Sequence, residues 1–97
     1  MLTLDTLQRE KRTEILRLAE MHGCRNVRVF GSVATGENRA DSDLDLLVDL
    51  EPGRTLFDVG ALLEDLKDLL HLEVDVHDAR CLHPHIRNRV LAEAVPL

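Results

Sequence analysis

The sequence predicts an α/β domain, a short mixed β-sheet flanked by α-helices. Two patterns and one set of breaks carry that expectation. Apolar residues recur every three or four positions over residues 3–22 and 56–72, and again after Pro84, the period of a helix with one buried face. Residues 26–30, 43–50 and 73–78 alternate or run continuously apolar, as strands do. Gly23 and the run Glu51-Pro52-Gly53-Arg54 interrupt these patterns where the chain must turn.

In the first helix the stripe is Leu4, Leu7, Ile15, Leu18 and Ala19, and Lys11 breaks it, so the first half is expected to be only partly buried. Arg9, Glu10, Lys11, Arg12, Glu14 and Arg17 form a solvated face. Strand 26–30 sets Val27 and Val29 against Arg28 and Phe30 and delivers the chain to Gly31-Ser32. Residues 32–36 suit a short helical turn whose free N–H groups face an anion, with Ser32 as its N-cap. A polar loop follows at 38–41, where Asp41 is solvated, and the Ser42 hydroxyl is expected to brace the neighbouring carboxylates. Strand 43–50 is apolar on both faces after Asp45, so it is the central one.

Helix 56–72 presents Leu56, Val59, Leu63, Leu66 and Leu70 to the core and ends with His71 as a cation at its C-terminus. Strand 73–78 places Val74 and Val76 on one face and Glu73, Asp75 and His77 on the other. His77 shares the parity of Asp75, but a lone strand histidine reads as structural. Pro84 opens the last helix at the position where its missing N–H costs nothing, and Ile86, Val90, Leu91 and Ala94 form its apolar side. Val95-Pro96-Leu97 is an apolar end suited to docking on a neighbour.

Ninety-seven residues, 44% of them apolar, suffice for one modest core, so residues 1–97 are expected to form a single domain. With Phe30 and Phe57 the only aromatics, Leu and Val must do most of the packing. The net charge of −6, from 18 acidic and 12 basic residues, disfavours nucleic acid as a direct ligand, because that binding rests on neutralising phosphates. A basic-then-apolar leader and an apolar run near the length of a membrane span are both missing from the sequence, which gives the expectation of a cytoplasmic protein without a membrane partner. Cys24 and Cys81 lack metal-ligand spacing and are expected to be reduced thiols.

The stretch from Gly31 to Val48 concentrates the chemistry. It opens with Gly31-Ser32, passes Gly36 and closes with Ser42-Asp43-Leu44-Asp45 leading into the apolar strand. Alternate strand residues share a face, so Asp43 and Asp45 point the same way, roughly 6–7 Å apart by the strand rise. Two carboxylates so placed can share divalent cations, which two-metal phosphoryl chemistry holds about 3.5–4 Å apart. Asp49 has the same parity but lies about 13 Å along the strand, too far for one site.

Two other readings fail on spacing. A P-loop needs Lys and Ser or Thr after its second glycine, where this chain has Glu37 and Asn38. An EF-hand begun at Asp41 needs Gly and Glu where this chain has Leu46 and Pro52. The plainest alternative is a solvated acidic turn before a buried strand.

The combination of Gly-Ser, a spacer, Ser-Asp-x-Asp and an apolar strand resembles the active-site motif of the polymerase-β-type nucleotidyltransferase superfamily. Size and surroundings are most similar to its minimal nucleotidyltransferase branch, small proteins paired with HEPN-type partners, and the resemblance spans nearly the whole chain. It implies the palm-like fold of that superfamily, with Asp75 on a neighbouring strand as the third carboxylate beside Asp43 and Asp45. It also implies two Mg²⁺ ions held by these three acids, ATP as substrate, and nucleotide contacts from Gly31, Ser32 and Ser42. Asp75 would in addition help deprotonate the attacking hydroxyl. Relatives often carry Arg between the two glycines, where this chain has Val33 and Thr35; Arg39 and Arg54 are the substitutes within reach by sequence.

The implied function is transfer of a nucleoside monophosphate, AMP from ATP, to a hydroxyl of a HEPN-type toxin partner, with this chain as antitoxin in a homo- or hetero-oligomer. The residues agree with a protein acceptor. The sequence contains no Tyr for self-modification, its charge disfavours nucleic acid, and so short a chain lacks walls for a buried small-molecule pocket. The alternative is a catalytically weak or inactive module that neutralises such a partner by contact alone.

Overall fold

The computed structural model describes residues 2–97. Its helical entry is an α-helical turn α1 (Leu4–Thr6), a π-helical segment (Leu7–Lys11) and α2 (Arg12–Met21). The π turn explains how Leu7 and Ile15 are both fully buried despite Lys11 between them. Eight residues of ideal α-helix would leave these two about 80° apart, whereas one extra residue in a π turn returns them to nearly the same face. The first half of this helix is therefore better anchored than its sequence stripe predicts.

Gly23, at φ +69°, turns the chain into β1 (Cys24–Phe30). The strand carries an irregularity between Arg25 and Arg28, where Asn26 adopts φ +52°. Then come α3 (Gly31–Thr35), β2 (Leu44–Leu50), α4 (Leu56–Leu70), β3 (Val74–Asp78), a 3-10 turn (Ala79–Cys81), α5 (Pro84–Glu93) and β4 (Val95–Pro96). The sheet order is β3-β2-β1-β4, with β2 and β3 parallel and the other pairs antiparallel, so the sheet is mixed as expected.

The fourth strand corrects the expectation that the apolar end docks on a neighbour. Val95 and Pro96 pair with Val29 and Arg28, and the Leu97 N–H donates to Val27 O at 3.0 Å. Gln8 and Arg12 donate to the carbonyls of Pro96 and Leu97, which ties this edge to the first helix. Pro96 is tolerated because an edge strand has one side free of ladder bonds.

The strands divide the interior in two. Leu44, Leu46, Val48 and Leu50 of β2 face a main core under α2 and α4, together with Ile15, Val29, Val59, Leu62 and Leu66. Leu47, on the other face of β2, joins Ala79, Leu82 and Val90 in a small second core beneath α5, flanked by Phe30 and Ala94. Asp45 and Asp49 share the face of Leu47 by alternation. Both acids thus stand on the thinly covered side of the sheet.

Two helices pack differently from their sequence stripes. In α4 the fully inward positions are Val59, Leu62 and Leu66, while Leu56 is 63% and Phe57 91% exposed. Thr55 caps this helix in a reciprocal box with Asp58, which sets Leu56 in the first turn, where it lines an open cavity beside Val76 and His77 of β3 and is only partly covered. The helix ends at Leu70, two residues before the expected end, with His71 as its C-cap at φ +54°. In α5 only Val90 is fully inward, and Ile86 and Leu91 remain exposed.

Candidate active site

The parallel register between β2 and β3 sets Asp45 opposite Asp75 and Leu47 opposite His77. Both acids and His77 therefore share one sheet face, and ligand atoms of Asp45, Asp75 and His77 lie within 4.8 Å of one another. The register follows from the apolar alternation, because a one-residue slip would turn Val74 and Val76 outward and drive Asp75 into the main core. Leu44 N–H donates to Glu73 O at 3.0 Å and starts this ladder just before the site.

The third wall is the turn after β1. Phe30 pairs with Asp45 across the antiparallel ladder, so the next residue, Gly31, approaches the carboxylate. A Cβ on Gly31 would lie 2.6 Å from Asp45 Oδ2, and its φ of +73° is left-handed. The φ favours glycine outright, and any side chain here would push the Asp45 carboxylate from its place. The turn closes at Gly36, φ +80°, whose N–H donates to Ser32 O.

The other predicted residues are distributed around this core. Asp43 lies exposed one residue before β2, outside the converging trio. Ser32 is the second residue of α3, and the N-cap is Phe30, without a side-chain bond; the capping role expected of Ser32 is corrected, because the glycine enters the helix first. The Ser42 hydroxyl accepts from the Arg39 N–H at 2.8 Å while Ser42 N–H donates to Arg39 O. It braces the loop backbone instead of the carboxylates.

Of the two arginines proposed as substitutes, Arg54 is excluded. It pairs with Asp58 at 3.1 Å and packs against Gly23, at the end of β2 away from Asp45. Arg39 stays exposed in the loop that leads into the acids. Asp49, set aside by distance, is bound by Arg28 at 2.8 Å and by Asn26 at 3.0 Å.

His77 is the residue that sequence reasoning undervalued. Its Nε2 is 3.9 Å from Asp45 Oδ1, a loose ion-pair separation and too long for a hydrogen bond. Asp45, by this contact and its charge, raises the imidazole pKa; burial opposes the rise and Asp75 adds to it. Phe30 meets the ring edge-on, with centroids 5.2 Å apart. The signal available in sequence was its parity with Asp75; the adjacency of β3 to β2, which makes that parity matter, was not.

Asp45 and Asp75 offer hard oxygen donors suited to Mg²⁺ or Mn²⁺, and the missing Cβ at Gly31 leaves room beside one of them. The residues fit a divalent cation.

Comparison with known proteins places the chain in a family. A family model described as "Nucleotidyltransferase domain" matches residues 11–97. A protein adenylyltransferase, MntA, of Thermococcus cleftensis is 39% identical over 95 residues, 98% of this chain and 96% of that protein. A solved structure of a candidate minimal nucleotidyltransferase superposes with a TM-score of 0.86 at 51% identity, covering 99% and 97% of the two chains. A crystal structure of a toxin-antitoxin with AMP-PNP shares the fold, with a TM-score of 0.76 at 20% identity over 89% and 71% of the chains. The chain belongs to the nucleotidyltransferase domain family.

Proposed function

We propose that this chain moves AMP from ATP onto a hydroxyl of a partner protein, and that the partner is a HEPN-type toxin for which it is the antitoxin. The observation that carries the chemistry is the pairing of Asp45 with Asp75 beside the glycine turn. Support for a protein acceptor comes from the similarity to a named protein adenylyltransferase. The toxin reading is supported by the shared fold with a toxin-antitoxin complex. Ile86 and Leu91 stand exposed on α5, where a partner could cover them.

In this reading Asp43, Asp45 and Asp75 would hold two Mg²⁺ ions. When bound, the cations offset negative charge developing at the α-phosphorus. Asp75, on the outer strand, faces the acceptor and takes the proton of the attacking hydroxyl. Gly31 and Ser32 hold the departing phosphates through backbone N–H and hydroxyl groups. Ser42 contributes to the nucleotide side by fixing the loop that carries Arg39 and the first acid.

Intact-mass spectrometry of the purified partner, incubated with this chain, ATP and Mg²⁺, tests the proposal. AMP-sized increments are expected, and they vanish with Asp43→Asn/Asp45→Asn. Neutralisation that persists in that variant with no increment from the wild type would instead establish a contact-only antitoxin.

A further inference from the structure

We propose that His77 is a nitrogen ligand of the cation held between Asp45 and Asp75, and that it biases this site towards Mn²⁺-like first-row metals over Mg²⁺. The inference rests on the carboxylate site proposed above and adds a donor to it. Three features support it. A ring nitrogen of His77 and the two carboxylates already converge within 4.8 Å, a spread one ion can close. The imidazole is not engaged in any hydrogen bond among the described residues, and its nearest charged neighbour is Asp45 Oδ1 at 3.9 Å. The edge contact with Phe30, itself opposite Asp45 in the ladder, holds the ring on the site's side of the sheet.

The donor set then becomes two oxygens and one imidazole nitrogen. Imidazole suits first-row transition metals, whereas Mg²⁺ prefers oxygen donors and keeps its waters. The third position also lies two residues beyond Asp75 on the same strand face, so a shift of β3 that moves one ligand moves the other.

The test uses the full chain with Mn²⁺ and inorganic tripolyphosphate, so that no base nitrogen enters. Electron spin echo modulation of bound Mn²⁺ is expected to show ¹⁴N coupling that converts to ¹⁵N in protein grown with ¹⁵N-histidine. His77→Leu is expected to lose the coupling, still bind Mn²⁺, and weaken for it by about tenfold or more, with little change for Mg²⁺. Bound Mn²⁺ without histidine coupling in the labelled wild type overturns the proposal and leaves the carboxylate site standing. Absence of any bound Mn²⁺ overturns both. Absence of the coupling in the labelled wild type needs no substitution and overturns the proposal even where His77→Leu folds poorly; a positive coupling is assigned to His77, among the five histidines, by its loss in His77→Gln.

Discussion

Gly31 and Asp45 are locked to each other: the Cβ that Gly31 lacks would occupy a point 2.6 Å from Asp45 Oδ2. The two residues come from opposite sides of one antiparallel ladder, so relief of the contact falls to rotation of the Asp45 carboxylate away from its place beside Gly31. Gly31→Ala therefore faces a left-handed φ and a collision with the key carboxylate. The variant is expected to lose about 1–3 kcal/mol of stability in urea titration. Transfer activity should fall by about 10²-fold, as for a misplaced reacting group. Gly53→Ala is the control: its φ is +87° but nothing lies within 4 Å, so it should lose stability with activity intact.

Asp45→Asn and Asp75→Asn should each reduce transfer by about 10²-fold or more. Without metal, melting temperature should hold or rise, because the substitution relieves repulsion between neighbouring carboxylates. Divalent metal with nucleotide should stabilise the wild type by about 2.7 kcal/mol at a hundredfold excess over Kd. Loss of that increment in both variants is the expected outcome of differential scanning fluorimetry; its retention would move the metal elsewhere.

Asp78 provides a structural contrast to the site acids. It is buried, accepts from the Arg80 N–H and receives the Arg80 guanidinium at 2.8 Å. That guanidinium holds its pKa below the usual carboxylate value, with burial opposing. A depressed folded pKa gives stability that is present above the unfolded value of about 3.9 and lost as pH falls through the folded one. Asp78→Asn should cost about 1–2 kcal/mol near neutral pH, kept modest by the exposure of Arg80. The gap between the two proteins should narrow below about pH 4.

The two thiols should react in sequence. Cys24 is buried and Cys81 exposed, and both are free. Burial, with Asp58 adding, pushes the Cys24 thiol above its ordinary pKa. Under native conditions a disulfide reagent is expected to titrate one thiol, Cys81, with the second appearing only on unfolding. Fast reaction of two thiols would contradict this packing.

Much of the fold was legible because period separates strands from helices, and because glycine and proline mark the turns. Parity could group Asp43 with Asp45 and Asp75 with His77 within their own strands, and only the family resemblance implied that Asp75 joins Asp45. Their adjacency rests on β3 pairing parallel with β2, which no local pattern encodes. The same limit left His77 read as structural despite its parity with Asp75. The fourth strand escaped notice because Val95-Pro96 is too short to show alternation, and Pro argues against a strand unless it lies at an edge. The exposure of Leu56 and Phe57 reflects where the capping box starts α4 relative to the sheet. Position along the helix decides that, and composition does not.

The parallel register of Asp45 with Asp75 also orders events in time. Phe30 and Asp45 are joined by a hairpin-like antiparallel closure, whereas Asp45 and Asp75 meet only after the whole of α4 has crossed over. Longer closures cost more chain entropy and come with slower folding. A refolding chain can thus possess its glycine turn and one acid while the opposite acid is still absent. In the proposed reading, cation capture then belongs to the docking of β3 on β2, and a metal-dependent signal in stopped-flow refolding should lag the first gain of strand structure.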